Sequence, residues 1–324
     1  MRALRALGLK PSVWHINEGH AAFQILERCR EAVQMNDMDF DSAIELTASN
    51  TVFTTHTPVP AGHDKFPMDV ARKVLGTSYS ALLDSAKLWE DGQLHMTLLA
   101  LRCARFINGV ALRHKEVSQE MFPGYPIGAV TNGVHAVQWT AEPFKELFDR
   151  RIPDWRQDNL YLRYACTIPL DEIRDAHAKA KRALLDEVQK RTGQKLDPQV
   201  FTIGFARRST PYKRADLIFS DIDRLKEVIR HVGPMQIIYG GKAHPRDEWG
   251  KELIRKIHDA AAKLKDSLKV VYLENYEMTL GGLMTSGSDI WLNNPLKPLE
   301  ASGTSGMKAA LNGVPSLSVL DGWW

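Results

Sequence analysis

Downstream of residue 200, short apolar runs alternate with segments of helical period, and this alternation restricts the possible folds more than any other feature of the chain. The runs at 200–205, 236–239, 268–273, 289–292 and 316–320 have the length of buried strands. Between them lie helix-period stretches at 216–229 and 245–264 and a short helix around Lys308, with Pro245 suited to a first helical turn. Such repetition predicts a parallel, doubly wound α/β sheet, because parallel neighbours need crossover connections. A further helix is predicted over 169–193, where Asp171 and Glu172 come early, Lys190 and Arg191 late, and Gly193 follows the end.

The first half is less regular. Residues 13–16, 51–55 and 128–131 read as strands that end in polar residues. A domain change is placed near Trp139, after the Thr131-Asn132-Gly133 turn, which divides the chain into 1–140 and 141–324. His15, Glu18, His20, His56 and Asn132 in the first part fall at strand ends, as do Arg207, Arg208, Gly241, Tyr276 and the residues from Asn293 to Lys308 in the second. Open α/β sheets bind ligands beyond the carboxyl ends of their strands. Two such edges facing each other would make a cleft between domains.

Composition narrows the partners. The 324 residues are 44% hydrophobic and 25% charged, with a formal charge of only +3. No long basic run accompanies that charge, which argues against nucleic acid. No apolar run is long enough to span a bilayer, and the start lacks a cleavage signal. The three cysteines, Cys29, Cys103 and Cys166, lie far apart, which fits a reduced cytoplasmic setting better than disulfides or a metal site.

The chemistry concentrates at 295–313. After the strand-like Asp289-Ile290-Trp291-Leu292 come Glu300, Ser302 and the turn Gly303-Thr304-Ser305-Gly306, then Lys308 among apolar neighbours. Backbone N–H groups in such a turn make an anion cradle. Lys308 is held where a helix dipole and apolar surroundings favour its neutral form, as suits a Schiff base to pyridoxal phosphate. The run Arg207-Arg208-Ser209-Thr210-Pro211-Tyr212-Lys213-Arg214 sets four cations at a strand end and helix start. A basic run is ordinarily a solvated surface, but cations are costly at a helix N-terminus unless an anion binds there, so this run reads as a second phosphate site.

With these residues assembled, the chain resembles the α-glucan phosphorylases, the glycogen and maltodextrin phosphorylase family, in its bacterial form. The resemblance runs from His15-Ile16-Asn17-Glu18-Gly19-His20 through Thr54-Thr55-His56-Thr57-Pro58, Thr131-Asn132-Gly133, Arg208 to Arg214, Gly240-Gly241-Lys242-Ala243 and Leu273-Glu274-Asn275-Tyr276 to Glu300–Lys308. It implies two Rossmann-like domains of the GT-B glycosyltransferase architecture facing across a cleft. The implied reaction is phosphorolysis of a terminal α-1,4-linked glucose by orthophosphate, giving α-glucose 1-phosphate with retention. The implied cofactor is pyridoxal 5'-phosphate on Lys308, acting through its phosphate as a proton donor.

By the same resemblance, Gly303, Thr304, Tyr276 and Arg207 would hold the cofactor. Arg208 and Lys213 would clamp the substrate phosphate, and His56, Asn132, Glu300 and Ser302 would contact the sugar. Arg207 stands where familiar eukaryotic members carry lysine, and Ser305-Gly306 replaces a Gly-Asn pair. Both domains are expected to be incomplete, since the family's early glycine-rich loop and closing elements are missing, so the isolated chain is expected to be weakly active or inactive. A homodimer is compatible with the family. Two alternatives stay open: a nucleotide-sugar-dependent glucan synthase, which needs no lysine at Lys308, and an inactive glucan-binding fragment.

Overall fold

Two sheets of parallel strands organise the computed structural model, which describes residues 1–85 and 88–324. The chain divides into two units. Met1–Asn132 with Pro298–Ser302 and Asp321–Trp324 form the first, and Gly133–Lys297 with Gly303–Leu320 form the second.

The first unit contains β1 (Trp14–Asn17), β2 (Thr51–Thr54), β3 (Lys65–Pro67), β4 (Trp89–Glu90), β5 (Gln93–His95), β6 (Phe106–Gly109) and β7 (Gly128–Ala129). A parallel sheet runs β1-β2-β6-β7, and a small antiparallel one runs β3-β5-β4. Ile16, Phe53 and Ile107 of the parallel strands are buried with Ile25 and Leu26 of the helix Phe23–Asn36 and Leu99 of the helix Met96–Arg102. The apolar pattern missed β6 because its four residues include only two apolar ones, and Phe106 is exposed. The antiparallel sheet was also missed, since its strands are two or three residues long.

His114 lies 1% exposed in this unit, with Nδ1 accepting the backbone N–H of Val110. Burial drives its pKa down to about 4. The unfolded chain takes up this proton as pH falls below its ordinary 6.5, whereas the folded chain resists until about 4. Stability is therefore present above 6.5 and is lost between those values. Urea unfolding should show roughly 2 kcal/mol less stability from this residue at pH 5 than at pH 7, and His114→Phe should flatten that dependence.

The second unit contains β8 (Phe201–Ala206), β9 (Met235–Gly240), β10 (Lys269–Leu273), β11 (Ile290–Asn293) and β12 (Ser316–Ser318), all parallel, in the order β10-β9-β8-β11-β12. These strands match the apolar runs. The order grows from β8 to β9 and β10 on one side, and β11 and β12 lie on the other, so the β8/β11 junction is the switch point at which doubly wound sheets open a ligand crevice. One layer of the core joins Ile238, Val271 and Trp291 to Leu184 and Val188 of the helix Leu170–Thr192 and to Met284 of the helix Met278–Gly287. The other joins Phe205, Ile237 and Tyr239 to Phe219, Ile257 and Leu264.

Local signals explain most helix ends. Leu170–Thr192 stops at Gly193 in the left-handed region, φ 70°, as the sequence predicts. The 216–229 segment instead splits into a turn Leu217–Phe219 and a helix Ile222–Val232, because the Asp221 carboxylate accepts the Arg224 N–H at 2.8 Å and starts a new helix. Likewise Pro245 stays in the loop, and Asp247 caps Glu248–Leu264 by accepting from Gly250. Partly buried Asp289 pulls this unit together: it accepts from Lys181 Nζ at 2.6 Å and from the Thr202 N–H at 2.7 Å, and pairs with His177 Nε2 at 2.8 Å.

Among the described residues, no helix is long and apolar enough to cross a membrane, and Cys29, Cys103 and Cys166 are free thiols.

Candidate active site

At the carboxyl end of β8 the chain must turn sharply beside β9. The Arg207 N–H donates to Gly240 O at 3.2 Å and the Ser209 N–H to Lys242 O at 3.1 Å. Gly241 makes this approach possible: at φ 145° a Cβ there would lie 2.0 Å from the Arg207 carbonyl oxygen. The next turn, Pro211–Lys213, buries Lys213 to 6% exposure, with Nζ 4.7 Å from the Tyr212 ring centroid, while Arg208 is exposed.

Arg214, at φ 50°, carries the turn across to the segment after β11. Its guanidinium donates to Asn294 O at 2.8 Å and Pro295 O at 2.9 Å, and the Leu296 N–H donates to Tyr212 O. The basic turn and the chain leading toward Gly303 are thereby laced together on both sides of the switch point.

Gly303 adopts φ 78°, ψ 43° and launches the helix Thr304–Ala310, which the Trp291 indole anchors by donating to Ser305 Oγ at 3.1 Å. Lys308 leaves this helix half-buried, with Nζ 3.4 Å from the centroid of the Trp139 ring. Burial lowers its pKa, the direction expected from its apolar neighbours. Tyr276, just past β10, fits beside Gly240 and Gly281, where a Cβ would come within 3.1 Å and 2.8 Å of its side chain. Burial raises the Tyr276 phenol and nearby Arg207 opposes the rise.

Seven of the sequence-predicted residues thus fall in the second unit at strand ends: Arg207, Arg208 and Lys213 after β8, Tyr276 after β10, and Gly303, Thr304 and Lys308 after β11.

The other four, His56, Asn132, Glu300 and Ser302, fall in the first unit. His56 follows β2 and is gripped by the end of β1. The Glu18 carboxylate accepts its N–H at 2.7 Å and the Thr57 hydroxyl at 3.0 Å, and Asn17 Oδ1 accepts from the ring Nε2, which leaves Nδ1 as an acceptor. Glu18 sits at φ 71°, a backbone conformation uncommon for a side-chain-bearing residue. Partial burial lowers the His56 ring below its ordinary value despite Glu18. The Asn132 N–H donates to Val110 O at 3.0 Å. Glu300 is 5% exposed, its N–H donating to buried Asp321 at 2.9 Å, and the Trp323 N–H donates to Ser302 O at 3.1 Å.

Sequence reasoning left three contributors out of the site. Trp139 had no local signal beyond its place after the Thr131-Asn132-Gly133 turn. Glu18 stood at a strand end but carried no role, and Asp321 lay outside every motif.

The family model described as carbohydrate phosphorylase matches residues 77–323. The maltodextrin phosphorylase of Thermococcus litoralis is 41% identical, with all of this chain and 42% of that protein aligned. The glycogen phosphorylase of Mycobacterium tuberculosis is 39% identical over 97% of this chain and 41% of its own length, and that of Aquifex aeolicus 34% over 99% and 52%. The chain spans about half the length of these relatives or less.

Proposed function

The chain belongs to the carbohydrate phosphorylase family, and on that premise we propose that it carries the phosphorolysis site of an α-1,4-glucan phosphorylase, a glycosyltransferase that passes a terminal glucosyl unit to orthophosphate. The observation that carries this reading is Lys308. It is half-buried, its amine rests on an aromatic face, and it rides a helix that starts from a left-handed glycine beside the switch point. A sugar-nucleotide synthase has no use for such a lysine.

The residues fit pyridoxal 5'-phosphate. A desolvated amine suits covalent attachment of the aldehyde, and the Gly303-Thr304 turn with Arg207 and Tyr276 supplies N–H, cationic and phenolic groups for its phosphate and ring. Bound there, the cofactor would supply a phosphate that shares a proton with the substrate phosphate. The chain's own residues do the rest. Arg208 and Lys213 hold orthophosphate by charge-assisted bonds and stabilise the charge that develops as the glycosidic bond breaks. His56, Asn132, Glu300 and Ser302 pair with sugar hydroxyls, because an unpaired buried hydroxyl is costly. A homodimer in the cytoplasm completes this reading.

Calorimetric titration of the pyridoxal phosphate-loaded chain with orthophosphate tests it. Binding should be lost roughly tenfold or more in Lys213→Met, the equivalent of one charge-assisted bond. Tight binding of a nucleoside-diphosphate sugar, indifferent to pyridoxal phosphate, would instead establish the synthase.

A further inference from the structure

The residue that organises the lysine's surroundings is Asn312, two residues beyond the end of its helix. It is 0% exposed, and its amide is used in full. Nδ2 donates to the backbone oxygens of Trp139 and Lys308, both at 2.8 Å, and Oδ1 accepts the Ala141 N–H at 2.7 Å. The partners at 139–141 and the helix end at 308 are about 170 residues apart in sequence, and one side chain fixes both.

We propose that Asn312 is a positioning residue for the cofactor lysine: its three bonds hold the Trp139 ring against Lys308 Nζ and so set the direction of the amine. Three features favour this over a generic buried amide. The bonds go to the backbone of the two residues whose side chains meet, Trp139 and Lys308. The third bond fixes the chain two residues past Trp139, so that the segment cannot pivot about a single contact. Every polar atom of the amide is satisfied by this clip, and no shorter or apolar side chain can make all three bonds at once. Asn312 touches no reacting atom; it acts through Trp139. The inference rests on the reading of Lys308 as the cofactor lysine.

The test adds pyridoxal phosphate to the chain, traps it with borohydride, quantifies label at Lys308, and records the visible circular dichroism of the bound chromophore. Asn312→Leu removes all three bonds. Ala141→Pro removes only the N–H that Oδ1 accepts, at a site where φ −68° and an extended Thr140 admit proline. At subsaturating pyridoxal phosphate, Asn312→Leu should trap roughly tenfold less label or worse, since misorientation of a reacting group is costly. Its dichroism per bound chromophore should fall. Ala141→Pro should be intermediate and still folded, melting somewhat lower because the buried Oδ1 loses its donor, and Trp139→Phe, which keeps an aromatic face, should retain most of the signal where Trp139→Leu does not. If Asn312→Leu fails to fold, Ala141→Pro and the Trp139 pair decide the matter. Wild-type labelling and dichroism in folded Ala141→Pro and Trp139→Leu would overturn the role of the clip while leaving the cofactor reading intact. Absence of label at Lys308 in the wild-type chain would overturn both.

Discussion

Lys181→Ala should lower the unfolding free energy by about 3–5 kcal/mol, the range for removing one partner of a buried ion pair. Lys181 is 6% exposed and its ammonium bonds Asp289 and Val200 O, at the amino-terminal end of the second unit's sheet. Without it the Asp289 carboxylate keeps only His177 and the Thr202 N–H while staying largely out of water. Burial alone would raise the Asp289 carboxyl, but His177, Lys181 and the Thr202 amide hold it below its ordinary value. Its contribution is therefore present above the ordinary carboxylate pKa and is lost as pH falls through the lower, folded one. Urea titrations of both proteins should accordingly converge in acid. A loss under about 1 kcal/mol at neutral pH, the size typical of an exposed pair, would mean that water reaches this cluster.

Lys308→Ala should bring the second large effect, on the cofactor rather than on stability. Trapped pyridoxyl label should drop to background, because the amine held against the Trp139 ring on the helix launched from Gly303 is gone. The fold should lose little: the ammonium on Trp139 is worth about 0.5–2 kcal/mol, and the helix Thr304–Ala310 gains a residue of higher helical propensity. Lys308→Arg should lack covalent label just as completely, since a guanidinium does not condense under these conditions. Undiminished trapping in either variant would place the reactive amine elsewhere in the chain.

Elements downstream of residue 200 were legible because buried parallel strands advertise themselves as short apolar runs, and the polar residues Arg207, Glu274 and Asn293 mark where the runs stop. The alternation did not reveal β6, whose Asn108 and Gly109 interrupt its apolar character, nor the cap at Asp221 that divides a continuous helical pattern. Neither residue breaks a periodicity strongly enough to be read alone. Long-range partners were invisible for a different reason. Glu300 and Asp321 belong to the first unit although they lie at the other end of the chain, and Asn312 meets Trp139 across most of the second. A hydrogen bond between residues so far apart leaves no local trace in composition or spacing. Glu18 was readable as a strand-end residue and Lys308 from its glycine turn, while their contacts, the His56 amide and the Trp139 ring, emerged only with the fold.

The most direct measurement is peptide mass spectrometry of the chain after incubation with pyridoxal phosphate and reduction with borohydride. A lysine that is desolvated, oriented and next to a phosphate cradle should carry the label at stoichiometric occupancy, in the single peptide containing Lys308. Label scattered over exposed lysines, or none, would contradict the assignment of the Gly303 turn and its helix as a cofactor site, and with it the proposed phosphorolysis.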